Sequence, residues 1–590
     1  MFSNPKEKLL EIIRYNKIIP RLIASWFILA LYYMVKFENF TELSFAQDTS
    51  LVISLVLIIV FFLVISFASF ITPKINIDSI ILFIIASASI FIVFYRGYNG
   101  TGDILKILGF ILIYIFILLF TYRENKSLIE RLYPNKLTTI IICAVIGLIS
   151  TLIASFMMAY KVKTLSSPNF DYGLFNNVFH NLKTKGLPYA TSERDQLLSH
   201  FKVHISPVFY LILPIYMIFP NPETLNVVQS VFVGLGLIPI ILIMYHKNRS
   251  NMEIILMSII YSFNSIIWTS GLYDFHENAF LILPLLFLFY FSMKKNRILM
   301  AIMSIVVLMV KEDAAFYLFV FGIYLLVKDK RYIDGSVMSV VSLIYFFIAV
   351  TILNKSGTGA MSDRFQVFIY NDGGIVSMFK TILDNPSYAL KELFSSNKLI
   401  YVIEVMLPLL FIPFMIKKPA NLILFVPLLL NLLSSWEYLT NINFQYHYGV
   451  MAFLFLLTID NLENLNKEFT PYLFFTSTFV TLALYLALVV PSARYYSNLY
   501  KDYKGYFTAK VEMLKEIPKE YSVSSNGFYI SYLYDREVIY ETYYHGRKDD
   551  VDCVVLDKNS TTDMNLYDYY IYKGYTLYKE DYGVIILLKP

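Results

Sequence analysis

Three consecutive charges, Lys311-Glu312-Asp313, interrupt an apolar stretch and could bind a polar group within a membrane. The apolar runs on either side, 298–310 and 314–327, hold only 13 and 14 residues. At 1.5 Å per residue, helices of that length reach ~20 Å, whereas the hydrocarbon core is ~30 Å thick. The charges therefore lie within the outer half of the membrane or face a hydrated cavity, and ionisable residues at such depth usually mark a site. The structural alternative is a Lys–Glu pair that neutralises itself at a helix turn.

Asp171 could act as a general base. It lies in Asn169-Phe170-Asp171-Tyr172-Gly173, just past the outer end of an apolar run at 137–160. A carboxylate held at the membrane face can take a proton from a hydroxyl if its neighbours keep its pKa suitable. The structural alternative is a loop aspartate that caps the helix that follows it.

His200 and His204 are separated by four residues and would share one face of a helix. Such a pair could bind a metal, but the glutamate of the zinc-protease pattern does not accompany it. The favoured interpretation is one interfacial histidine that is hydrogen-bonded to the backbone. No metal site is predicted, and the sequence gives no support to a divalent cation as cofactor.

Other polar residues collect in connections on the same side as Asp171. His276 and Glu277 lie in a polar turn between two apolar runs. Arg364 could grip a phosphate with two parallel hydrogen bonds. Gln445 and Tyr448 could orient a sugar or a phosphate. Each of these residues is equally compatible with packing a loop.

The composition requires a membrane to hold these residues. Of the 590 residues, 57% are hydrophobic and only 16% are charged, whereas soluble domains carry about 25% charged residues. The apolar residues fall in long runs such as Leu51–Phe70 and Leu137–Tyr160. The net charge of +5 does not indicate a nucleic-acid partner, and two cysteines, Cys143 and Cys553, form no disulfide framework. We therefore expect a polytopic α-helical membrane protein.

The apolar runs predict about fifteen spans. They are placed at 19–36, 50–72, 77–95, 103–121, 137–160, 224–245, 251–269, 277–293, 298–310, 314–327, 335–353, 398–415, 420–435, 446–460 and 470–491. The short run 205–219 contains three prolines and is predicted to be a juxtamembrane helix on the outer surface.

The basic residues between the spans predict the orientation, because cytoplasmic connections are rich in lysine and arginine. One alternating path puts the N-terminus in the cytoplasm and the C-terminus outside. Its cytoplasmic residues are Lys6, Lys8, Arg14, Lys17, Lys74, Arg123, Lys126, Arg131, Lys136, Lys247, Arg249, Lys294, Lys295, Arg297, Lys328, Lys330, Arg331, Lys417 and Lys418. The two long outer loops also contain lysines, so the rule is not obeyed everywhere.

Three parts of the chain are predicted. Residues 1–122 hold about four extra spans, and residues 123–491 form the core with outer loops 161–204 and 354–397. Residues 492–590 are rich in Tyr, Asp and Lys and read as a small extracytoplasmic α/β domain. Its β-prone runs are Tyr521–Val523, Val538–Tyr543, Val551–Leu556 and Val584–Leu588.

Five stretches together resemble a family of predicted bacterial and archaeal membrane proteins that is related to the GT-C glycosyltransferases. They cover about 160–460, and the terminal domain is similar too, whereas the spans within 1–122 are not part of the pattern. The stretches are Phe170-Asp171-Tyr172-Gly173-Leu174-Phe175 with Gly186-Leu187-Pro188; His204-Ile205-Ser206-Pro207 with Pro214-Ile215-Tyr216, Phe219-Pro220 and Thr224-Leu225…Gln229; Asp274-Phe275-His276-Glu277; Lys311-Glu312-Asp313; and Gln445-Tyr446.

The resemblance implies a GT-C-like fold and a membrane glycosyltransferase with Asp171 as its catalytic acidic residue. It also implies a polyprenyl phosphate sugar as donor, which enters from the bilayer. The acceptor would be an extracytoplasmic glycan, lipid or protein, and the sugar would be transferred with inversion. The expected substrate-binding residues are His204, His276, Glu277, Lys311, Glu312, Asp313, Arg364, Gln445, Tyr446 and Tyr448.

Two other functions stay open on the sequence. A transporter or flippase of lipid-linked sugars would use the intramembrane charges as a coupling site. Against it, no repeated halves are visible, and the polar residues collect on one face rather than at mid-membrane. A non-catalytic scaffold in envelope assembly is the third possibility.

Overall fold

The computed structural model describes residues 15–37, 43–72, 76–96, 104–129, 134–355, 362–369, 374–543 and 550–590. Among the residues used above for orientation, Lys6, Lys8, Arg14, Lys74 and Arg131 lie outside the described residues.

Four helices precede the core, each built from one of the long apolar runs. They are α1 (Tyr15–Lys36), α2 (Leu51–Ile71), α3 (Ile77–Arg96) and α4 (Ile104–Ile129). Arg21 of α1 is buried and donates to both carboxylate oxygens of Asp78 in α3, at 2.7 and 3.1 Å. It also donates to Ser66 and Ser69 of α2. One buried ion pair with satisfied donors thus fixes three of these helices together.

The core contains the helices that follow in the chain and the connections between them. In chain order it holds α5 (Lys136–Lys163), α6 (Leu174–Lys185), α7 (Phe209–Ile218), α8 (Thr224–Leu235), α9 (Leu237–His246), α10 (Asn251–Ser262), α11 (Ser265–Gly271), α12 (Ile282–Met293), α13 (Arg297–Val310), α14 (Ala314–Lys328), α15 (Tyr332–Lys355), α16 (Gly374–Asp384), α17 (Pro386–Leu393), α18 (Ser396–Met406), α19 (Val426–Leu433), α20 (Tyr448–Asn461), α21 (Thr470–Leu488) and α22 (Val490–Lys515). A two-stranded antiparallel ribbon, β1 (Tyr189–Ala190) and β2 (Leu198–Ser199), lies in the connection after α6.

Nine helical segments among the described residues are long and apolar enough to cross a membrane. They are α1, α2, α3, α4, α5, α8 with α9, α10 with α11, α15, and α21 with α22. Shorter apolar helices of 10 to 17 residues include α7, α13 and α14. The chain is therefore a multi-span helical protein, and the count of about fifteen spans stays a prediction for the shorter helices.

The predicted span 398–415 is wrong as a single helix. Helix α18 ends at Met406, and Leu410 and Phe411 adopt left-handed φ angles of 45° and 56°. Pro408 and Pro413 lie within the same run. Proline has no N–H to donate and clashes with the preceding turn, so the run breaks into short 3-10 turns instead.

Basic residues from separate connections gather at one end of the core. Asp460 pairs with Lys247 at 3.0 Å and with Lys328 at 2.6 Å. Asp334 pairs with Arg297 at 2.8 Å, close to its neighbour Arg331. Three of the predicted cytoplasmic clusters, those of Lys247, Arg297 and Lys328, therefore share one end, and the side of the membrane that this end faces stays a prediction.

The turn between α13 and α14 lies well inside the length of the neighbouring helix α15. The hydroxyl of Tyr345 in α15 donates to the carbonyl of Leu308 in α13 at 2.7 Å. Helix α15 continues for ten residues beyond Tyr345, which adds about 15 Å at 1.5 Å per residue. The charges at Lys311 to Asp313 thus lie below the far end of α15, as the lengths of the two apolar runs predict.

A five-stranded mixed sheet lies within residues 492–590, the part of the chain that is predicted to form the C-terminal domain, and α22 crosses the predicted boundary at residue 492. The strands β3 (Val523–Ser525), β4 (Ile539–Glu541), β5 (Cys553–Asp557), β6 (Thr576–Asp581) and β7 (Val584–Leu588) lie in the order β4-β3-β5-β7-β6. Strand β3 is parallel to β4 and β5, whereas β7 is antiparallel to β5 and β6. Helices α23 (Ile530–Leu533) and α24 (Thr561–Tyr572) lie between the strands in the chain.

Candidate active site

Asp171 lies in a single turn of π-helix, Asn169–Gly173, between α5 and α6. The amides of Tyr172 and Gly173 both donate to the carbonyl of Pro168, at 3.1 and 3.3 Å. Gly173 stands at the N-cap of α6, and in the described loop no side chain caps this helix, so the capping role considered for Asp171 is wrong. The Asp171 carboxylate instead accepts a hydrogen bond from the hydroxyl of Tyr273.

Tyr273 is held in place by the connection between α11 and α12. Lys161, at the end of α5, donates to the carbonyl of Tyr273 at 2.6 Å and to the Asp274 carboxylate at 2.7 Å. The amide of Gln229 in α8 donates to the Asp274 carbonyl at 3.0 Å and accepts from the His276 N–H at 2.7 Å. Side chains from two helices thus fix the loop that carries the partner of Asp171.

The surroundings of Asp171 suit a general base. Burial raises the pKa of the Asp171 carboxyl to about 6, and the hydrogen bond from Tyr273 opposes that rise. The charges of Asp274 and Glu277 also raise this pKa, whereas the Lys311 ammonium lowers it. The same burial and the Asp171 charge raise the pKa of Tyr273 above its usual value, so Tyr273 stays protonated and remains a donor. A base with a pKa near the working pH is mostly ionised yet still basic enough to accept a proton.

Lys311 and Glu277 form a buried ion pair beside this loop. Their charged atoms are 3.1 Å apart, and both residues are 0% exposed. Nδ1 of His276 lies 3.2 Å from the second oxygen of Glu277, and the Ser206 hydroxyl donates to the first at 3.4 Å. The carboxylate of Glu277 therefore serves as the counter-ion of Lys311. The neutralised Lys–Glu pair considered for this turn is present, with Glu277 as the partner instead of Glu312.

Glu312 points to the other side of the same turn. One of its oxygens lies 2.9 Å from Nδ1 of His204, and the other accepts from the N–H of Ile205 at 2.9 Å. This arrangement ties the α13–α14 turn to the start of the segment that leads into α7. Asp313 is half-buried, and its Oδ1 has no hydrogen-bond partner among the described residues.

The two histidines four residues apart do not converge on one ligand. Nδ1 of His200 lies 3.0 Å from Glu193, whereas His204 contacts Glu312. The interpretation of a backbone-bonded interfacial histidine is therefore wrong for His204, whose Nδ1 meets a carboxylate. No group of three or more His, Cys, Asp and Glu side chains within the described ranges could hold a metal ion.

Arg364 lies against two aromatic rings. Its guanidinium is 4.6 Å from the ring centre of Trp436 and 5.3 Å from that of Tyr446, within the range of cation–π contacts. Its backbone carbonyl accepts from the Ser434 hydroxyl at 2.7 Å and from the Ser435 N–H at 2.9 Å. The position of Arg364 is thus fixed by the connection between α19 and α20, where its in-plane N–H groups could meet an anion.

Tyr446 joins this connection to the buried ion pair, since its ring centre is 6.4 Å from that of His276. Gln445 and Tyr448 are buried on either side of it. Oε1 of Gln445 and the hydroxyl of Tyr448 have no hydrogen-bond partner in the part of the chain that the structure describes. An unpartnered buried polar atom is costly, so each of these two atoms marks a place for water or a polar ligand.

A chain of aromatic contacts links the two ends of the candidate site. The ring of Tyr273 lies 4.8 Å from Phe444, and Phe444 lies 4.3 Å from Tyr438. Tyr438 is 4.9 Å from Trp436, which contacts Arg364. These contacts and sequence neighbours in the α13–α14 turn connect eight of the predicted site residues: Asp171, His204, His276, Glu277, Lys311, Glu312, Arg364 and Tyr446. Asp313, Gln445 and Tyr448 adjoin this group through the chain. A single hollow shared by Asp171 and Lys311 stays a prediction. Two apolar cavities, of about 320 and 440 Å³, lie between helices elsewhere in the described part of the chain.

Four residues in this group were not predicted. Tyr273 stands next to Asp274 in one of the quoted stretches, and Gln229 ends another, so a signal existed for both. Lys161 follows the predicted span 137–160, where a lysine is common at the membrane boundary, so its type and position indicate no functional role. Trp436 gives no signal, because its contact with Arg364 joins parts of the chain 72 residues apart.

The model of a family described as a predicted membrane protein family (DUF2079) matches residues 161–586, and the chain belongs to this family. The match begins at the loop of Asp171 and leaves the four N-terminal helices outside. The expected family is thus confirmed. A similar solved structure is that of ArnT from Cupriavidus metallidurans in the apo state, at 10% identity and a TM-score of 0.41 over 75% of this chain and 98% of that chain. No curated protein matches the sequence.

Proposed function

We propose that this DUF2079 member is a membrane glycosyltransferase that moves a sugar from a polyprenyl phosphate donor to an extracytoplasmic acceptor. The observation that carries the proposal is Asp171, whose carboxylate is held by Tyr273 next to the Lys311–Glu277 pair. A poised base beside a buried cation is what an acyl or glycosyl transfer to a hydroxyl needs. The sequence resemblance to GT-C glycosyltransferases supplies the reaction class, which is an analogy of family and not of a matched active site.

In the proposed reaction, the ionised Asp171 takes the proton of an acceptor hydroxyl. The hydroxyl oxygen attacks the anomeric carbon from the face opposite the phosphate, and the bond from that carbon to the phosphate oxygen breaks. The configuration inverts, and polyprenyl phosphate leaves with the bonding electron pair. Tyr273 keeps one carboxylate oxygen engaged, so the other is available to the acceptor.

Lys311 and Arg364 would stabilise the departing phosphate. Arg364 can offer two parallel N–H donors while its face stays on Trp436 and Tyr446. Lys311 lies deeper, and its charge is offset by Glu277 until an anion arrives. His204, His276, Glu312, Asp313, Gln445, Tyr446 and Tyr448 would shape the cavity around the sugar.

The proposed orientation places Asp171 and the C-terminal domain outside the cell membrane and the N-terminus in the cytoplasm. The donor tail would lie in the outer leaflet. The contact between the C-terminal domain and the loop of Asp171 supports placing both on one side, since Asn177 donates to the Tyr534 carbonyl at 2.8 Å.

The test uses the purified chain in vesicles with a panel of radiolabelled polyprenyl phosphate hexoses and pentoses. We expect the wild type to release or transfer the sugar of one donor, and Asp171→Asn to lower that rate by about 10²-fold or more, the usual contribution of a general base. Asp550→Asn is the matched control, because the Asp550 side chain is 96% exposed. A wild-type rate in Asp171→Asn would exclude Asp171 as the base.

The same assay distinguishes the transferase from a flippase, a function that the buried Lys311–Glu277 pair also permits. Ionisable groups at depth are typical of coupling sites in transporters. A labelled lipid that changes leaflet without losing its sugar would favour the flippase and contradict the transferase.

A further inference from the structure

The C-terminal domain touches the Asp171 turn at both of its ends. At the start, the Nδ2 of Asn169 donates to the carboxylate of Glu541 at 3.0 Å. At the end, Gly173 packs so closely on α23 that an added Cβ would lie 2.7 Å from Cγ2 of Ile530. The turn that presents Asp171 is therefore held by the C-terminal domain as well as by Tyr273.

Glu541 is itself fixed. It is the last residue of β4 and pairs with Ser525 of β3 in the parallel ladder. Its backbone N–H donates to the carboxylate of Asp195 at 2.8 Å. A Cβ added to Gly527 would lie 2.5 Å from Oε1 of Glu541, so the carboxylate packs directly above a bare glycine. Because the Glu541 side chain is fixed relative to the sheet, the position of the sheet determines the position of its partner, Asn169.

Other contacts dock the sheet on the same loop independently of Glu541. The Thr191 hydroxyl donates to the Ile539 carbonyl at 3.1 Å and accepts from the Ile539 N–H at 2.8 Å. The Ser531 hydroxyl donates to the carbonyl of Ser167 at 3.4 Å. Removing the Glu541 side chain therefore leaves the domain docked and changes the start of the turn.

We propose that the C-terminal domain positions the Asp171 carboxylate and that Glu541 is its positioning residue, acting through Asn169. The inference rests on the proposed role of Asp171 and assigns a role to the domain. Tyr273 fixes the carboxylate of Asp171, and Glu541 fixes the start of the turn through Asn169, so both the side chain and the backbone of Asp171 are positioned. A displacement of about 1 Å at a reacting group can cost about 10²-fold in rate. Losing one of several restraints costs less.

The kinetic test compares Glu541→Ala with Glu541→Gln in the full-length chain. We expect Glu541→Ala to lower kcat about tenfold with the donor KM within about twofold, since no donor contact is lost. Glu541→Gln restores most of the rate, because its amide oxygen still accepts from Asn169. The control is Glu537→Ala, whose carboxylate is 80% exposed in an ion pair with Lys185. Because the Asn169 amide also donates to the Ser192 carbonyl at 3.3 Å, the double variant Glu541→Ala with Asn169→Ala should lose less rate than the product of the two single losses.

A second readout does not depend on catalysis. Hydrogen exchange of the Tyr172, Gly173 and Leu174 amides reports the turn directly, since these amides donate within it. We expect faster exchange of these amides in Glu541→Ala and Asn169→Ala, and an exchange rate equal to that of the wild type in Glu537→Ala. If the wild type transfers no sugar, the proposed function fails. The exchange data still test whether Glu541 positions the turn.

Two results would overturn the positioning role. The first is unchanged exchange in the turn of Glu541→Ala together with an unchanged kcat. The second is faster exchange spread over β3, β5 and β7, because Glu541 would then stabilise the sheet as a whole.

Discussion

Tyr273→Phe removes one hydroxyl and tests how Asp171 is tuned. That hydroxyl donates to the half-buried carboxylate of Asp171, and desolvation raises the pKa of this carboxyl to about 6. A hydrogen bond to the charged form of an acid lowers its pKa, so the variant raises the pKa of Asp171 further. The base works only when it is ionised, so Tyr273→Phe should reach its full transfer rate at a higher pH than the wild type.

The size of the shift follows from the strength of that bond. A hydrogen bond to a charged group contributes about 1.5–3 kcal/mol, and one pKa unit corresponds to about 1.4 kcal/mol. The lower limb of the pH–rate profile should move up by roughly one to two pH units. At pH 6 the variant would then be about five- to fifty-fold slower than the wild type, whereas above about pH 9 the two rates would converge.

The assay is kcat/KM for sugar release from the radiolabelled polyprenyl phosphate donor between pH 5 and pH 9. Tyr210→Phe is the matched control, because its exposed hydroxyl donates to the Gly186 carbonyl at 3.1 Å, in the same loop as Asp171. A Tyr273→Phe profile that falls equally at every pH would refute the tuning of Asp171 and leave Tyr273 a role in packing alone.

Two further variants test the framework around the base. Lys311→Met leaves Glu277 charged and without its cation in a fully buried place, so we expect it to lower the free energy of unfolding by about 3–5 kcal/mol, and the added substitution Glu277→Gln to recover most of that loss. Thermal unfolding in detergent measures both variants. A Lys311→Met variant as stable as the wild type would contradict the pairing. Asp274→Asn weakens the clamp of Lys161 on the loop of Tyr273 and should slow transfer about tenfold while exposing that loop to protease; equal cleavage rates would rule the clamp out.

Features set by local sequence were foreseen. The lengths of the apolar runs around Lys311 predict a charged turn inside the membrane depth, and Tyr345 of α15 lies level with that turn. Four β-prone runs after residue 520 predict β3, β4, β5 and β7. Both signals depend on neighbouring residues alone.

Features set by tertiary contact were not foreseen. Tyr273 meets Asp171 across 102 residues, and no local pattern announces that pairing. Strand β6 was missed because it is an edge strand whose Lys579, Glu580 and Asp581 face solvent, so it lacks the apolar alternation of a buried strand. The break at Leu410 and Phe411 occurs in residues that rarely adopt left-handed φ, which hydropathy does not record.

The counter-ion of Lys311 shows the same limit. Sequence proximity suggests Glu312, but the extended backbone at Lys311 turns the two side chains apart. Lys311 then reaches Glu277 of another connection, and Glu312 reaches His204. A run of charges in sequence is thus divided among partners that only the packed helices bring close.

The central claim is that the buried charges around the α13–α14 turn open to a lipid phosphate on the face of Asp171. A polyprenyl phosphate with a photoreactive group next to its phosphate tests it most directly, with mass spectrometry of the adducts. The account predicts adducts on peptides that contain Tyr273, Lys311 or Tyr446, and their loss when unlabelled polyprenyl phosphate competes. Adducts confined to the opposite end of the core, around Asp460, would contradict it.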